Sequence, residues 1–160
     1  MFTTEEFECL AGRYMDRIFR LAFGCLKSQA DADDVTQTVL LRLYEADKEF
    51  ESDAHLKNWL VRVTVNECRK FWRSPWRRTE DFEDYAGTLT FEQARYEELF
   101  GAIMALDKKY RMVIVLYYFE GYSISEIAAL LDLPPATVGT RLSRARNKLK
   151  DYLTEACCCE

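Results

Sequence analysis

Two stretches of this chain carry residue types that could do chemistry, and that chemistry is ionic rather than covalent. From His55 to Arg78 there are seven Lys or Arg and one acid; from Ala136 to Lys150 there are five Lys or Arg and no acid. The chain as a whole is acidic, with a net charge of -5, so its positive charge is concentrated rather than spread. Two separate basic segments in an acidic protein suggest two polyanion-binding surfaces. Two solvated helix faces would give the same counts, and charge alone does not separate these readings. Covalent chemistry finds little support. His55 is the only His and has no partner pattern for acid–base work. The six Cys include the run Cys157-Cys158-Cys159, but none has a CxxC spacing. That argues against a disulfide framework or a structural zinc site. Adjacent Cys are poorly placed to chelate one ion together, so no metal and no cofactor is expected. Cys9, Cys25 and Cys68 fall inside helical patterns and read as small core residues.

The second basic stretch is the more informative. At about 100° per residue, Val138, Leu142, Ala145 and Leu149 fall on one narrow face of a helix. Thr140, Ser143, Arg144 and Asn147 fall on the opposite face. Arg141 and Lys148 flank that face on one side, Arg146 and Lys150 on the other. The preceding residues supply a second, shorter helix. Ser123-Ile124-Ser125-Glu126 fits a capping box, Ile127, Leu130 and Leu131 point inward, and Ala128 is small enough for a close helix crossing. Asp132-Leu133-Pro134 reads as a tight turn, and Pro135 suits the first position of the next helix, where its missing N–H costs nothing. A helix-turn-helix needs this layout: a buried stripe to anchor the helix, an outer face for base edges, and flanking cations for phosphates. A basic amphipathic helix closing an ordinary bundle is the alternative.

Stepping through the rest of the chain gives helical periods almost throughout. Apolar residues make up 49%, enough for packed cores, while 3 Pro and 6 Gly disfavour a turn-rich β fold. Helices are expected over about 4–27, 30–47 and 55–73, with Phe50 to Ala54 as a loop and Pro75 as a stop. Residues 79–92 are acidic, interrupted by Gly87 and weakly periodic, which reads as a linker. Periodicity resumes near Phe91 with Leu99, Ile103 and Leu106. A helix over about 108–119 then ends at Gly121. The expected fold is all-α, with two small helical domains (1–78 and 93–155) joined by the linker 79–92, the second domain a helix-turn-helix, and a Cys-rich tail over 156–160. No apolar run approaches the roughly 20 residues of a membrane span, and the acidic N-terminus lacks the layout of a secretory signal. A cytoplasmic protein with no membrane partner is therefore expected.

The stretch DKKYRMVIVLYYFEGYSISEIAALLDLPPATVGTRLSRARNKLK resembles region 4 of the extracytoplasmic-function group of bacterial RNA polymerase sigma factors, with TVGTRLSRAR carrying most of the match. The resemblance implies that this domain reads the minus-35 promoter element through Thr137, Thr140, Arg141, Ser143, Arg144, Arg146 and Lys148. Gly139 stands where the family often has a basic residue, and Asp132 where helix-turn-helix turns often have Gly. The segment DADDVTQTVLLRLYE resembles sigma region 2.2, whose D-x-x-D-x-x-Q-like pattern docks on the clamp helices of the largest polymerase subunit. That implies Asp33, Asp34, Gln37, Leu41 and Arg42 as polymerase contacts, with Thr38 where an acid is usual.

HLKNWLVRVTVNECRKFWRSPWRR resembles regions 2.3 and 2.4, which recognise and melt the minus-10 element. Its polar stripe is Arg62, Asn66, Arg69 and Arg73, with Lys70 beside it. Trp59, Val63, Leu56 and Leu60 form the adjoining core. Phe71, Trp72 and Trp76 could stack on opened bases or pack as core. In the family the loop before this helix captures a flipped base. Here that loop runs from Phe50 to His55 and includes Ser52 and Asp53, and Asn66 matches a family Asn that supports the pocket. The implied partners are core RNA polymerase (clamp helices and flap) and promoter DNA, with an anti-sigma factor as a further candidate. Two rivals remain at this level: a stand-alone helix-turn-helix regulator, and a thiol or metal enzyme built on Cys157, Cys158 and Cys159.

Overall fold

A computed structural model describes residues 2–74 and 94–158, and the chain divides into two compact units, residues 1–86 and 87–160. The expected linker over 79–92 and Trp76 lie outside the described residues. The described residues form helices with no strands among them.

The first unit is built from α1 (Thr4–Leu26), α2 (Gln29–Glu45) and α3 (Asp53–Arg73). Each start has a local cause. Thr3 opens α1 with a full capping box, its hydroxyl taking the Glu6 amide while the Glu6 carboxylate takes the Thr3 amide. Ser28 and Ser52 cap α2 and α3 through their hydroxyls. The core is where the three apolar stripes meet: Tyr14, Ile18 and Leu21 from α1, Val35, Val39 and Leu43 from α2, and Leu56, Leu60, Val61 and Val65 from α3. α3 is thus buried on two sides, as its sequence pattern requires. Cys25 and Cys68 join this core and share a thiol–thiol hydrogen bond; burial above all pushes the Cys68 thiol up from its ordinary range. Cys9 differs from expectation. It is exposed, because it lies off the stripe that α1 turns inward.

The second unit holds α4 (Ala94–Ala105), α5 (Lys108–Ile114), α6 (Ile124–Leu131) and α7 (Pro135–Cys158). The helix expected to run unbroken to Phe119 instead widens after Ile114 into a π turn, Val115–Phe119, in which the Glu120 amide donates five residues back to Val115 at 3.1 Å. Gly121, at φ 75, then ends it in the left-handed region. Arg111 is buried and donates to the Leu106 carbonyl at 2.8 Å, tying α5 to the end of α4. α7 continues as helix through Cys158, past the expected boundary at 155.

Candidate nucleic-acid and partner interfaces

The helix-turn-helix of the second unit forms from local signals. The Ser123 hydroxyl accepts the Glu126 amide at 3.1 Å and the Glu126 carboxylate accepts the Ser123 amide at 3.3 Å, completing the predicted box at the start of α6. Asp132 ends α6 in the left-handed conformation, φ 56 and ψ 50, which Asp tolerates. Leu133 then donates back to the Ala128 carbonyl at 3.0 Å, and Pro135 opens α7. Val138, Leu142 and Ala145 are fully buried with Ile127 and Leu131 of α6. That burial holds α7 with Thr140, Ser143, Arg144 and Asn147 turned to solvent.

The flanking cations divide as their positions on the helix predict. On one side Thr137, Thr140, Arg141 and Arg144 line a shallow cleft of about 360 Å³ with Lys109 and Tyr110 of α5. The Lys148 ammonium lies 5.4 Å from the centre of the Tyr110 ring, and that of Lys109 5.0 Å from it. Neither Arg141 nor Arg144 pairs with an acid among the described residues. On the other side Arg146 turns away from this group. Its Nε donates to the Tyr118 hydroxyl at 2.6 Å and its guanidinium sits over both the Tyr117 and Tyr118 rings. The Tyr118 bond raises the Arg146 pKa further, so the charge is permanent.

Arg146 and Lys150 rim an apolar groove of about 700 Å³ floored by Leu99, Ile103, Ile114, Leu149 and Leu153. Phe119, 63% exposed, and Tyr118 stand at its edge. Sequence reasoning missed this groove. Its one sequence signal is the aromatic run Tyr117-Tyr118-Phe119, which a regular helix end does not need.

In the first unit Asp33, Asp34, Gln37, Leu41 and Arg42 are all exposed on α2, Leu41 at 60%. An apolar side chain left that open contributes nothing to its own core. The Thr38 hydroxyl bonds back to the Asp34 carbonyl at 2.9 Å. Arg42 is not free: it pairs with Glu67 of α3 at 2.7 Å. The same carboxylate oxygen takes Lys70 at 2.9 Å. Glu67 is buried, and two cations compensate its charge. A predicted polymerase contact and a predicted nucleic-acid contact therefore share one acid, the single acid of the basic stretch.

On α3, Arg62, Asn66 and Arg73 are exposed and Arg69 is half-buried, so the predicted polar stripe is present as a surface. Phe71 and Trp72 are half-buried. Ser52 and Asp53 are exposed, but their side chains are engaged within the unit. Ser52 accepts the His55 amide at 3.1 Å. Asp53 takes Arg13 of α1 at 3.0 Å and the Tyr14 hydroxyl at 2.6 Å. Desolvation, and then this bond, raise the Tyr14 pKa. Among the described residues no three His, Cys, Asp or Glu converge where a metal could sit, and no helix is long and apolar enough to cross a membrane.

Residues 10–78 match the model of Sigma-70 region 2 and residues 96–149 that of Sigma-70 region 4. The chain is 33% identical over 157 residues to the ECF RNA polymerase sigma factor SigE of Mycolicibacterium smegmatis, of whose length it spans 61%. It is 28% identical to SigW of Bacillus subtilis and 29% identical to the sigma-E factor of Escherichia coli, covering 90% and 85% of those proteins and 94% and 91% of itself. Among solved structures it resembles the sigma factor RpoE of Bartonella quintana, in complex with the anti-sigma factor NepR (TM-score 0.68, 23% identity, 94% of this chain and 98% of that one). It also resembles CnrH, in complex with the cytosolic domain of CnrY (TM-score 0.61, 27% identity, 96% of this chain and 90% of that one). Two sigma-70 regions in one chain place it with initiation factors rather than with enzymes or stand-alone regulators. The chain belongs to the sigma-70 family, in the ECF group of RNA polymerase sigma factors.

Proposed function

We propose that the two units divide the promoter between them. α7 reads the minus-35 element in the major groove, with Arg144 on base edges and Thr137, Thr140, Arg141, Ser143 and Lys148 on bases and phosphates. α3 and the turn before it act on the minus-10 element through Arg62, Asn66, Arg69, Lys70 and Arg73, with Trp76 added from outside the described residues. Ser52 and Asp53 hold that turn in shape and stand exposed beside it, within reach of the minus-10 strand. Asp33, Asp34, Gln37, Leu41 and Arg42 dock on the polymerase clamp helices. The apolar groove beside α7 takes the polymerase flap, and Arg146 serves at its rim as well as near the DNA. The linker over 79–92 lets both units engage at once, so that effective concentration raises the affinity of each. The complex of the Bartonella quintana RpoE with the anti-sigma factor NepR motivates a protein antagonist for this chain too, acting in the cytoplasm.

One observation carries the proposal: an unpaired Arg144 held outward on a helix whose opposite face is fully buried. A bidentate Arg–guanine contact contributes about 1–3 kcal/mol of discrimination. With core polymerase, Arg144→Ala should relax base preference about 5- to 150-fold at one or two minus-35 positions and leave folding unchanged. A uniform loss over all promoter variants would make Arg144 a phosphate contact. Replacing Gln37 and Leu41 together with Lys should abolish polymerase binding while helicity is kept; collapse of the circular dichroism signal would place that face in the core.

A further inference from the structure

The segment between α2 and α3 is short and carries no helix of its own, yet it is tied down residue by residue. Ser52 caps α3, taking the His55 amide on its hydroxyl at 3.1 Å and the Leu56 amide on its carbonyl at 3.1 Å. The Glu51 amide then donates to Nδ1 of His55 at 3.3 Å. In an ordinary capping box the third helical residue is Glu or Gln and reaches back to the cap amide. Here a His occupies that position and reaches one residue further, closing the turn from the outside. The imidazole also supports the next residue back. The Phe50 ring stands edge-on to His55 at 5.5 Å and to Trp59 at 5.4 Å, and it stacks on Phe2 at 6.1 Å. Lys48 lies 5.9 Å from the same ring. A side chain that both accepts an amide and buttresses an aromatic ring defines the path of the chain through residues 50–52.

We infer that His55 is the positioning residue of this turn, setting the backbone of Phe50, Glu51 and Ser52 for recognition of a minus-10 base. The inference rests on the reading that this turn meets the minus-10 element. Accepting at Nδ1 places the imidazole proton on Nε2, since a neutral ring has one donor and one acceptor nitrogen. The role therefore asks for an acceptor at that place and not for a charge. Gln, the ordinary occupant of this helix position, should substitute; an apolar residue of similar bulk should not.

The test uses holoenzyme reconstituted with core polymerase and transcription over promoters varied one base at a time in both elements. A hydrogen bond of ordinary net strength corresponds to about a threefold to tenfold change. His55→Leu should relax discrimination at a minus-10 position by about that factor and leave the minus-35 profile unchanged. His55→Gln should restore it. Hydrogen exchange at the Glu51 amide, followed without DNA, should speed up in His55→Leu and return in His55→Gln. Equal relaxation by Leu and Gln, or an unchanged Glu51 exchange rate in His55→Leu, overturns the inference. A third variant with residues 48–51 replaced by Gly-Ser-Gly-Ser separates the two levels. If it alters the minus-10 profile and His55→Leu does not, the positioning role fails while the turn keeps its function. If neither alters that profile, the turn does not read the minus-10 element.

Discussion

α3 and α7 both carry the cations proposed to meet promoter DNA but stand in their units differently. α7 buries one narrow stripe, Val138, Leu142 and Ala145, and leaves the rest of its first turns to solvent. α3 buries two faces, and Glu67, the one acid of its basic stretch, sits inside the unit holding Lys70 of its own helix and Arg42 of α2. The turn before α3 is likewise tied to α1 through Asp53, Arg13 and Tyr14. In the second unit the proposed reading face lies opposite the buried stripe, so reading and stability should be separable. In the first unit Arg42, Lys70 and Asp53 are proposed contacts that also hold the fold, so changing one of them should alter both. Pairing also changes which cations are available. Arg141 and Arg144 have no acid partner among the described residues, whereas Arg42 and Lys70 are already paired with Glu67.

The strongest challenge to the comparison is a pair of core truncations. Leu60 and Leu142 are equally buried, at 2% and 1% exposure. Leu60→Ala and Leu142→Ala should each cost about 2–5 kcal/mol. Each should lower the melting transition of its own unit and leave the other where it was. A single transition moved equally by both variants would show that the units unfold as one. Next comes Glu67→Gln. Arg42 and Lys70 are 43% and 57% exposed, so solvent screens both pairs and the loss should be about 1 kcal/mol rather than that of a deeply buried pair. The same variant should change polymerase affinity and minus-10 opening together, whereas no single change on the outer face of α7 should move polymerase affinity. An effect of Glu67→Gln on stability alone would uncouple the two roles assigned to that cluster. The smallest effect is expected from Lys148→Ala. Lys148 lies beside Tyr110 near the cleft, and a phosphate contact there adds affinity without base preference. Binding should weaken a few-fold on every promoter, and the slope of log affinity against log salt should fall by about 1. A changed base profile would move Lys148 from the phosphates to the bases.

What could be read along the chain was whatever a few neighbouring residues decide among themselves. The capping box at Ser123 and Glu126, the left-handed Asp132, Pro135 at the start of α7, and the split between its buried and outward faces all depend on contacts within one or two turns. Periodicity therefore determined the all-helical fold, the helix-turn-helix and the exposure of Arg144, Gln37 and Leu41. Tertiary structure decided what depends on how helices cross. Asp53 finds Arg13 and Tyr14 some forty positions away, Glu67 joins α2 to α3, Arg146 finds Tyr118 as its partner, and Cys9 faces out while Cys25 and Cys68 meet in the core. The π turn and the groove beside it have the same origin. A helical period specifies which side of each helix is apolar; it does not specify which residue of another helix lies opposite, because that is chosen only when the stripes pack together.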